Sequence, residues 1–472
     1  MAPSSVLARD LSAVRAHLDA APETEALRPI GLGGVLLGPG VIDRVADVVN
    51  EIRRPDGDVV LFADNRPMFG GGAEVKASIE LRLVEAGFNV RKVTVGGENA
   101  RPRPDLDTIE AATRDSEGAA ALVSVGSGTV VDVAKSVSAA LGNVPHVAVQ
   151  TAASVNGFSG DLTALVVGRV KHISCARWVD RLLIDTDIVA HAPAELNRSG
   201  FGDLLANYTA PADWMLANLV GQDDSYSAAA VELTRSHLDA IVERADGIHR
   251  GDREAIDELC AALTLSGISM GVAGHSAPGS GMEHTVAHLI EIATPPDERP
   301  PLHGATVGAL SVLSALLWSR VRVQARGGRL HALRFPSAAE MEPRVRAAFA
   351  DVDPSGQIGD ACWEAYSPKL ERWNNARPEL EKLFEQWPAF DAQLEGLVGS
   401  PELIVGALRA VRAPVRLGQL GVRNETTEWA LASCHMLRER FTVADLAFFM
   451  GMWETGDVHE LLIAAARLGA GL

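Results

Sequence analysis

His284 and His288 stand four residues apart, about one helical turn, so on a helix their imidazoles share one face. His303 follows in Leu302-His303-Gly304. Asp203 comes earlier, in Gly202-Asp203-Leu204-Leu205, a stretch that reads as the opening of a helix with the carboxylate in or near its first turn. Two imidazoles and a carboxylate, with a coordination position left open, make a catalytic metal site of the zinc type. Zinc, nickel and iron all accept such ligands. The plainer alternative is a solvated or hydrogen-bonded histidine pair in a chain that has 13 histidines.

A second constellation suits a nucleotide. The apolar run Ala121–Val125 leads into Gly126-Ser127-Gly128-Thr129 and then a helical pattern over Val130–Ala140. A glycine turn at the mouth of a helix brings backbone N–H groups up to a phosphate, and the helix dipole favours the phosphate's charge. The third glycine of a full dinucleotide fingerprint is absent, so a plain strand-to-helix turn fits the same residues. Asp64 follows another predicted strand, in Leu61-Phe62-Ala63-Asp64. A carboxylate there accepts hydrogen bonds from an adenosine ribose and repels a 2′-phosphate. An Asp capping the next helix is the alternative.

These residues need elements to hold them. Candidate strands are Val35–Gly38, Val59–Ala63, Val90–Val95, Ala121–Val125 and His146–Gln150, with helical patterns over Gly72–Ala86 and Leu106–Arg114 between them. Strict alternation predicts a parallel, doubly wound sheet. Leu162–Val167 and His172–Cys175 predict a hairpin appended to it, its link beginning at Gly168-Arg169. After Pro193 the patterning turns helical, over Glu232–Gly247, Arg253–Gly267, Val307–Arg322 and Trp429–Leu437. The expected division is therefore an α/β domain over residues 1–192 and an all-helical domain over 193–472.

Composition narrows the function classes. Acids outnumber bases 61 to 43, for a formal charge of −18, which argues against a nucleic-acid or anionic-membrane partner. Cys175, Cys260, Cys362 and Cys434 are widely spaced and form no CxxC pair, so they read as buried thiols of a reducing compartment. Pro300–Ser319 is an uncharged run long enough to cross a membrane, but its prolines, glycines and His303 favour a buried core helix. A soluble, cytoplasmic protein without membrane insertion is expected.

The segments VGSGTVVDVAK, TAASVNGF, LLIDTDIVAHAPAELNRSGFGDLLANYTAPADW, SGMEHTVAH, LHGATVG and RERFTVADLAFFMG resemble, in order, those of the glycerol-1-phosphate dehydrogenase family. That family lies within the iron-containing alcohol dehydrogenase and dehydroquinate synthase-like superfamily. The resemblance implies an α/β N-terminal nucleotide-binding domain and an all-α C-terminal domain. It implies reversible reduction of dihydroxyacetone phosphate to sn-glycerol 1-phosphate with NADH or NADPH and one divalent metal, and a homo-oligomer, commonly a dimer. Gly126, Ser127, Gly128, Thr129 and Val130 match the pyrophosphate loop, and Thr151, Ala152, Ala153 and Ser154 match a second cofactor-contacting segment. Asp203, His284 and His303 match metal ligands, and Asp203 also matches a substrate contact. His288 matches a substrate-contacting histidine, and its type suits a proton relay to the alkoxide formed on hydride transfer.

Four positions depart from the family pattern. Asn156 stands where the family has a substrate-contacting Asp, Gly160 where it has a cofactor-contacting Ser, Asn207 where it has a Lys, and Ala305 where it has a Glu. Asn207 removes a cation that suits a substrate phosphate. Two alternatives follow: a dehydroquinate synthase-like lyase that uses NAD catalytically, and a catalytically weakened homologue that binds nucleotide or metal. Asp203, where the cyclases place a Glu, favours the dehydrogenase over the first.

Overall fold

The computed structural model describes residues 4–70, 72–96, 104–167, 170–295, 298–328 and 332–472. The chain divides into two compact units, Met1–Leu204 with Ser227–Ser276, and Leu205–Tyr226 with Ala277–Leu472.

The first unit is built on a six-stranded sheet. In spatial order its strands are Val35–Gly38, Arg181–Asp185, His146–Gln150, Ala119–Gly126, Asp58–Ala63 and Val90–Thr94, every neighbouring pair parallel. Side chains alternate between two apolar layers. Val59, Leu61, Val123 and Val125 pack with Val48 and Val49 of the helix Val45–Ile52 and Ile79 and Leu83 of the helix Val75–Glu85. Val60, Phe62 and Leu122 face the other way, onto Ile109 of the helix Leu106–Arg114 and Val130, Val133 and Val137 of the helix Gly128–Ala140. Covered on both faces, Ala119–Gly126 and His146–Gln150 are buried along their whole length.

The strand Arg181–Asp185 is an addition to the sequence reading. Both of its partners are distant in sequence, so nothing local marks it. The strands Leu162–Val167 and Val170–Cys175 do form a hairpin, but it is a separate two-stranded sheet rather than an extension of the main one. The predicted link at Gly168-Arg169 lies outside the described residues.

The compact units do not divide at 192/193. The helices Ala228–Glu243, Ala245–Arg250 and Arg253–Ala273 cluster with the α/β unit. Arg253–Ala273 packs on Thr186–His191 and on the strand Val35–Gly38. The single helical pattern expected over Glu232–Gly247 is broken at Arg244 into two helices.

The second unit is built from helices. Its longest, His303–Arg326, takes in the uncharged run noted above from His303 onward. By length and composition it and Arg253–Ala273 pass as membrane spans, yet 83% and 89% of their apolar windows are buried within protein. Both are core helices. Asp213 ties three pieces of this unit together. Its Oδ2 accepts from Met282 N at 2.8 Å, and its Oδ1 accepts from Val443 N and Trp318 Nε1, both at 3.0 Å. The carboxylate thus sits on the first residues of two helices, Met282–Ala293 and Val443–Phe449. Burial, and then the nearby Glu283, hold its carboxyl well above the usual range.

Candidate functional site

His284 and His288 lie in the helix Met282–Ala293, and His303 is the first residue of His303–Arg326, which packs against it. The three rings converge. Centroids of His284 and His303 are 5.2 Å apart, and His288 stacks on His303 at 5.4 Å with planes 26° apart. Ligand nitrogens of His284 and His303 approach within 4.8 Å.

A carboxylate on the inner nitrogen orients each of those two rings. His284 Nδ1 donates to Glu283 Oε1 at 3.0 Å, and His303 Nδ1 donates to Glu291 Oε1 at 2.8 Å. An ionised carboxylate only accepts, so the proton sits on Nδ1 and the lone pair on Nε2. This carboxylate–histidine pattern is the one that prepares imidazoles for a metal. Glu283 is itself well held: Gly281 N donates to it at 2.6 Å and Thr209 Oγ1 at 2.9 Å. Burial pushes its carboxyl up, but the bond from His284 and the Gly281 N–H outweigh this and leave it below the usual range. Arg438 Nη2 donates to His288 Nδ1. Arg has no acceptor, so His288 carries its proton on Nε2. Glu291, Glu283 and Arg438 were missed by sequence reasoning. Glu291 lies seven residues beyond His284, on the same helical face, and that spacing was the available signal.

Asp203 belongs to the first unit, and its local setting corrects the sequence expectation. The helix begins at Ala194, behind Pro193, and ends at Leu205, so Asp203 lies in its last turn rather than its first. A carboxylate there opposes the helix dipole, a placement that a bound cation offsets. One face of this helix docks on the segment 153–156. Asn197 Oδ1 accepts from Ala153 N at 2.9 Å, Ser199 Oγ donates to Ser154 O at 3.3 Å, and Asp203 Oδ2 accepts from Asn156 N at 3.0 Å. Gly200 permits the approach, since a Cβ there would sit 2.0 Å from Ala153 O.

The nucleotide candidates fall at the carboxyl ends of strands in the middle of the sheet. Gly126 and Gln150 end neighbouring strands in register, and Thr151 N donates back to Gly126 O at 3.3 Å. The turn and the segment Thr151-Ala152-Ala153-Ser154 are therefore adjacent. The helix Gly128–Ala140 has no acid in its first turn, and Ser127 makes no side-chain cap. That leaves a helix N-terminus suited to phosphate, although Gly126 also avoids contact with its own Val130. Asp64 follows Ala63, which pairs with Val125 one strand over. It does not cap the next helix: Glu74 does, accepting from Ala77 N. Asp64 is paired instead with the ammonium of Lys76, whose Nζ also donates to Asp64 O at 2.7 Å.

Comparison with known proteins gives the family. The chain is 32% identical over 299 residues to the glycerol-1-phosphate dehydrogenase [NAD(P)+] of Natronomonas pharaonis, covering 61% of this chain and 80% of that one. The chain belongs to the glycerol-1-phosphate dehydrogenase family. The enzyme of that name from Methanothermobacter thermautotrophicus is 29% identical over 340 residues, covering 72% and 90%. The iron-containing alcohol dehydrogenase profile matches residues 36–193. Among solved structures, a probable glycerol dehydrogenase from Sinorhizobium meliloti has a TM-score of 0.58 at 17% identity, covering 94% of this chain and 99% of that one. The glycerol dehydrogenase of Schizosaccharomyces pombe has a TM-score of 0.58 at 16% identity, covering 92% and 89%. The fold is that of the iron-containing alcohol dehydrogenases.

Two departures from the glycerol-1-phosphate dehydrogenase pattern have a structural account. Asn156 Nδ2 donates to Ser266 Oγ at 3.2 Å, which a carboxylate would not do. Gly160 faces the helix Arg253–Ala273 so closely that a Cβ would lie 2.7 Å from Gly267 O. The buried Lys135 holds the same loop, donating to Gly157 O and Gly160 O at 2.6 Å, and burial pushes its pKa down to about 8. Gly160→Ser, which restores the family residue, is therefore expected to destabilise the protein by about 1–3 kcal/mol through overpacking, read from the midpoint of urea unfolding. An unchanged midpoint contradicts this account of the glycine.

Proposed function

We propose that this protein is a metal-dependent, NAD(P)-linked oxidoreductase that interconverts dihydroxyacetone phosphate and sn-glycerol 1-phosphate. The observation that carries the reading is the pair His284 and His303, each with Nδ1 on a carboxylate and Nε2 left as the lone-pair nitrogen. That donor chemistry fits a divalent ion, zinc, nickel or iron. In this reading Asp203 is the third ligand and also touches substrate. When bound, the ion polarises the ketone oxygen and stabilises the developing alkoxide.

The remaining roles fall to the chain's own groups. The turn Gly126, Ser127, Gly128, Thr129, Val130 receives the cofactor pyrophosphate on backbone N–H groups, and Thr151, Ala152, Ala153 and Ser154 line the neighbouring stretch. Asp64 accepts from the adenosine ribose. Its Lys76 partner offsets the repulsion a lone carboxylate would exert on a 2′-phosphate, so both NADH and NADPH are expected to serve. Asn156 hydrogen-bonds substrate. His288 presents Nε2–H to the substrate oxygen and hands on the proton there. The enzyme works in the cytoplasm, a setting that suits its buried thiols Cys260, Cys362 and Cys434, and as a homo-oligomer, a dimer first.

The test is NADH and then NADPH oxidation by protein stripped of metal and reloaded with zinc, nickel or iron, with dihydroxyacetone phosphate beside dihydroxyacetone. Metal-dependent oxidation with the phosphate ester is expected. None with any of the three ions sinks the reading. Within it, Glu291→Ala frees the His303 ring and is expected to weaken metal binding about 10- to 100-fold, measured by competition with a chromophoric chelator. Unaltered affinity would remove Glu291 from the account.

A further inference from the structure

We propose that Arg438, held against His288, forms the subsite for the substrate's phosphate, supplying the cation that Asn207 no longer provides. This rests on the functional reading above and names the group that recognises the ester.

Three observations carry it, all within the second unit. Asn207 is buried at the position where the family has its lysine, so no cation stands there. Arg438 reaches the histidine cluster from the segment that joins Cys434–Met436 to Val443–Phe449, and its guanidinium donates to His288 Nδ1. His288 stacks on His303, so the guanidinium stands one imidazole away from a proposed metal ligand. In dihydroxyacetone phosphate the phosphorus is three bonds from the carbonyl carbon, and a ketone oxygen at the metal sends the phosphate to such a neighbouring position.

The electrostatics point the same way. Among the described residues Arg438 makes no ion pair; its partner is an imidazole nitrogen. Two acids act on Arg438 from nearby, Glu439 and, more weakly, Glu291, and Glu291 bonds to His303. Burial, and then the positive charge of Arg440, lower the Arg438 pKa to about 10, so it stays charged at neutral pH. Arg440 is lowered too, chiefly by burial, and its Nη1 donates to Ser280 Oγ at 2.7 Å. Glu439 offsets part of the charge of the two guanidiniums, and their pair still favours an anion beside them. Arg offers five donors and His288 takes one, which leaves an edge of the fork for two phosphate oxygens, while His288 Nε2–H stays with the ketone oxygen.

The experiment measures kcat/KM for dihydroxyacetone phosphate and for dihydroxyacetone in the metal-loaded wild type, Arg438→Gln and Arg438→Lys. The readout is the ratio of the two values, which general damage leaves in place. Arg438→Gln is expected to lower that ratio about 10- to 100-fold, and Arg438→Lys to recover part of it. Should the Gln variant not fold, Arg438→Met takes its place. An unchanged ratio, with both substrates losing alike, overturns the proposal and leaves Arg438 a structural group. If the wild type turns over neither ketone, the functional reading itself has failed. Inorganic phosphate then decides the subsite by calorimetric titration: binding lost in Arg438→Gln and kept in Arg438→Lys supports it, and equal binding in all three overturns it.

Discussion

Replacing His303 with Ala is expected to empty the metal site and to lower kcat/KM for ketone reduction by about 10³ or more. The size follows from losing Lewis-acid stabilisation of the alkoxide, several kcal/mol at about 1.4 kcal/mol per tenfold. His303 lies nearer to each of the other two rings than they lie to one another, 6.5 Å apart. Its Nδ1 donates to Glu291 at 2.8 Å, and its faces and edges meet His284 at 5.2 Å and His288 at 5.4 Å. Ala therefore removes a proposed ligand, takes a hydrogen-bond donor from Glu291 and frees the stacking partner that Arg438 holds. Elemental analysis of the purified variant beside steady-state rates checks this. A variant with full metal content and wild-type rates would show that His303 is not a ligand.

The second large effect is on stability. Lys369, 0% exposed, pairs with Asp445, 1% exposed, at 2.6 Å. The same ammonium donates to His435 O at 2.6 Å and to Arg440 O at 3.1 Å. Those carbonyls bracket Arg438, so one buried cation fixes the backbone that presents the Arg438 guanidinium. Lys369→Met leaves the Asp445 charge buried without its partner and is expected to cost about 3–5 kcal/mol. Removing both charges, Lys369→Met with Asp445→Leu, is expected to recover much of the loss, because well-packed apolar residues replace such pairs at little cost. Urea unfolding followed by tryptophan fluorescence measures both. The segment's core helps the readout: Trp373 stacks on Phe449 at 4.2 Å with planes 9° apart. A single variant as stable as the wild type would contradict the assigned role.

What the chain discloses before folding depends on whether the cause is local. The strands Val35–Gly38 and His146–Gln150 are as predicted, because β-branched runs bounded by turn residues carry their own signal. Arg181–Asp185 is short, runs straight into the helix Thr186–His191, and earns its place from two distant partners. The Asp203 helix reads in sequence as opening at Gly202-Asp203, because glycines weaken a helical pattern upstream of that point. Gly200 is there because Ala153 O presses on it, a contact between residues far apart in sequence. The same distinction runs through the site. The i,i+4 histidines were legible as a pair, and the glycine turn as a strand-to-helix junction. Glu291 takes its meaning from His303, and Arg438 from His288, 150 residues away. The spacing from His284 places Glu291 on the right face without naming its partner, and no periodicity announces Arg438. Asp64 was legible as a carboxylate at a strand end, but its Lys76 partner, which changes what it can recognise, was not.

The most direct test of the central claim is product analysis. Metal-loaded protein is given NADH and dihydroxyacetone phosphate, and oxidised cofactor and glycerol phosphate are counted together, with the enantiomer assigned. The account predicts one sn-glycerol 1-phosphate per NADH oxidised, and no product without metal. Metal and cofactor bound with no NADH consumed would contradict it. That result would move the protein to a lyase that uses its cofactor catalytically, or to a homologue that binds without turning over.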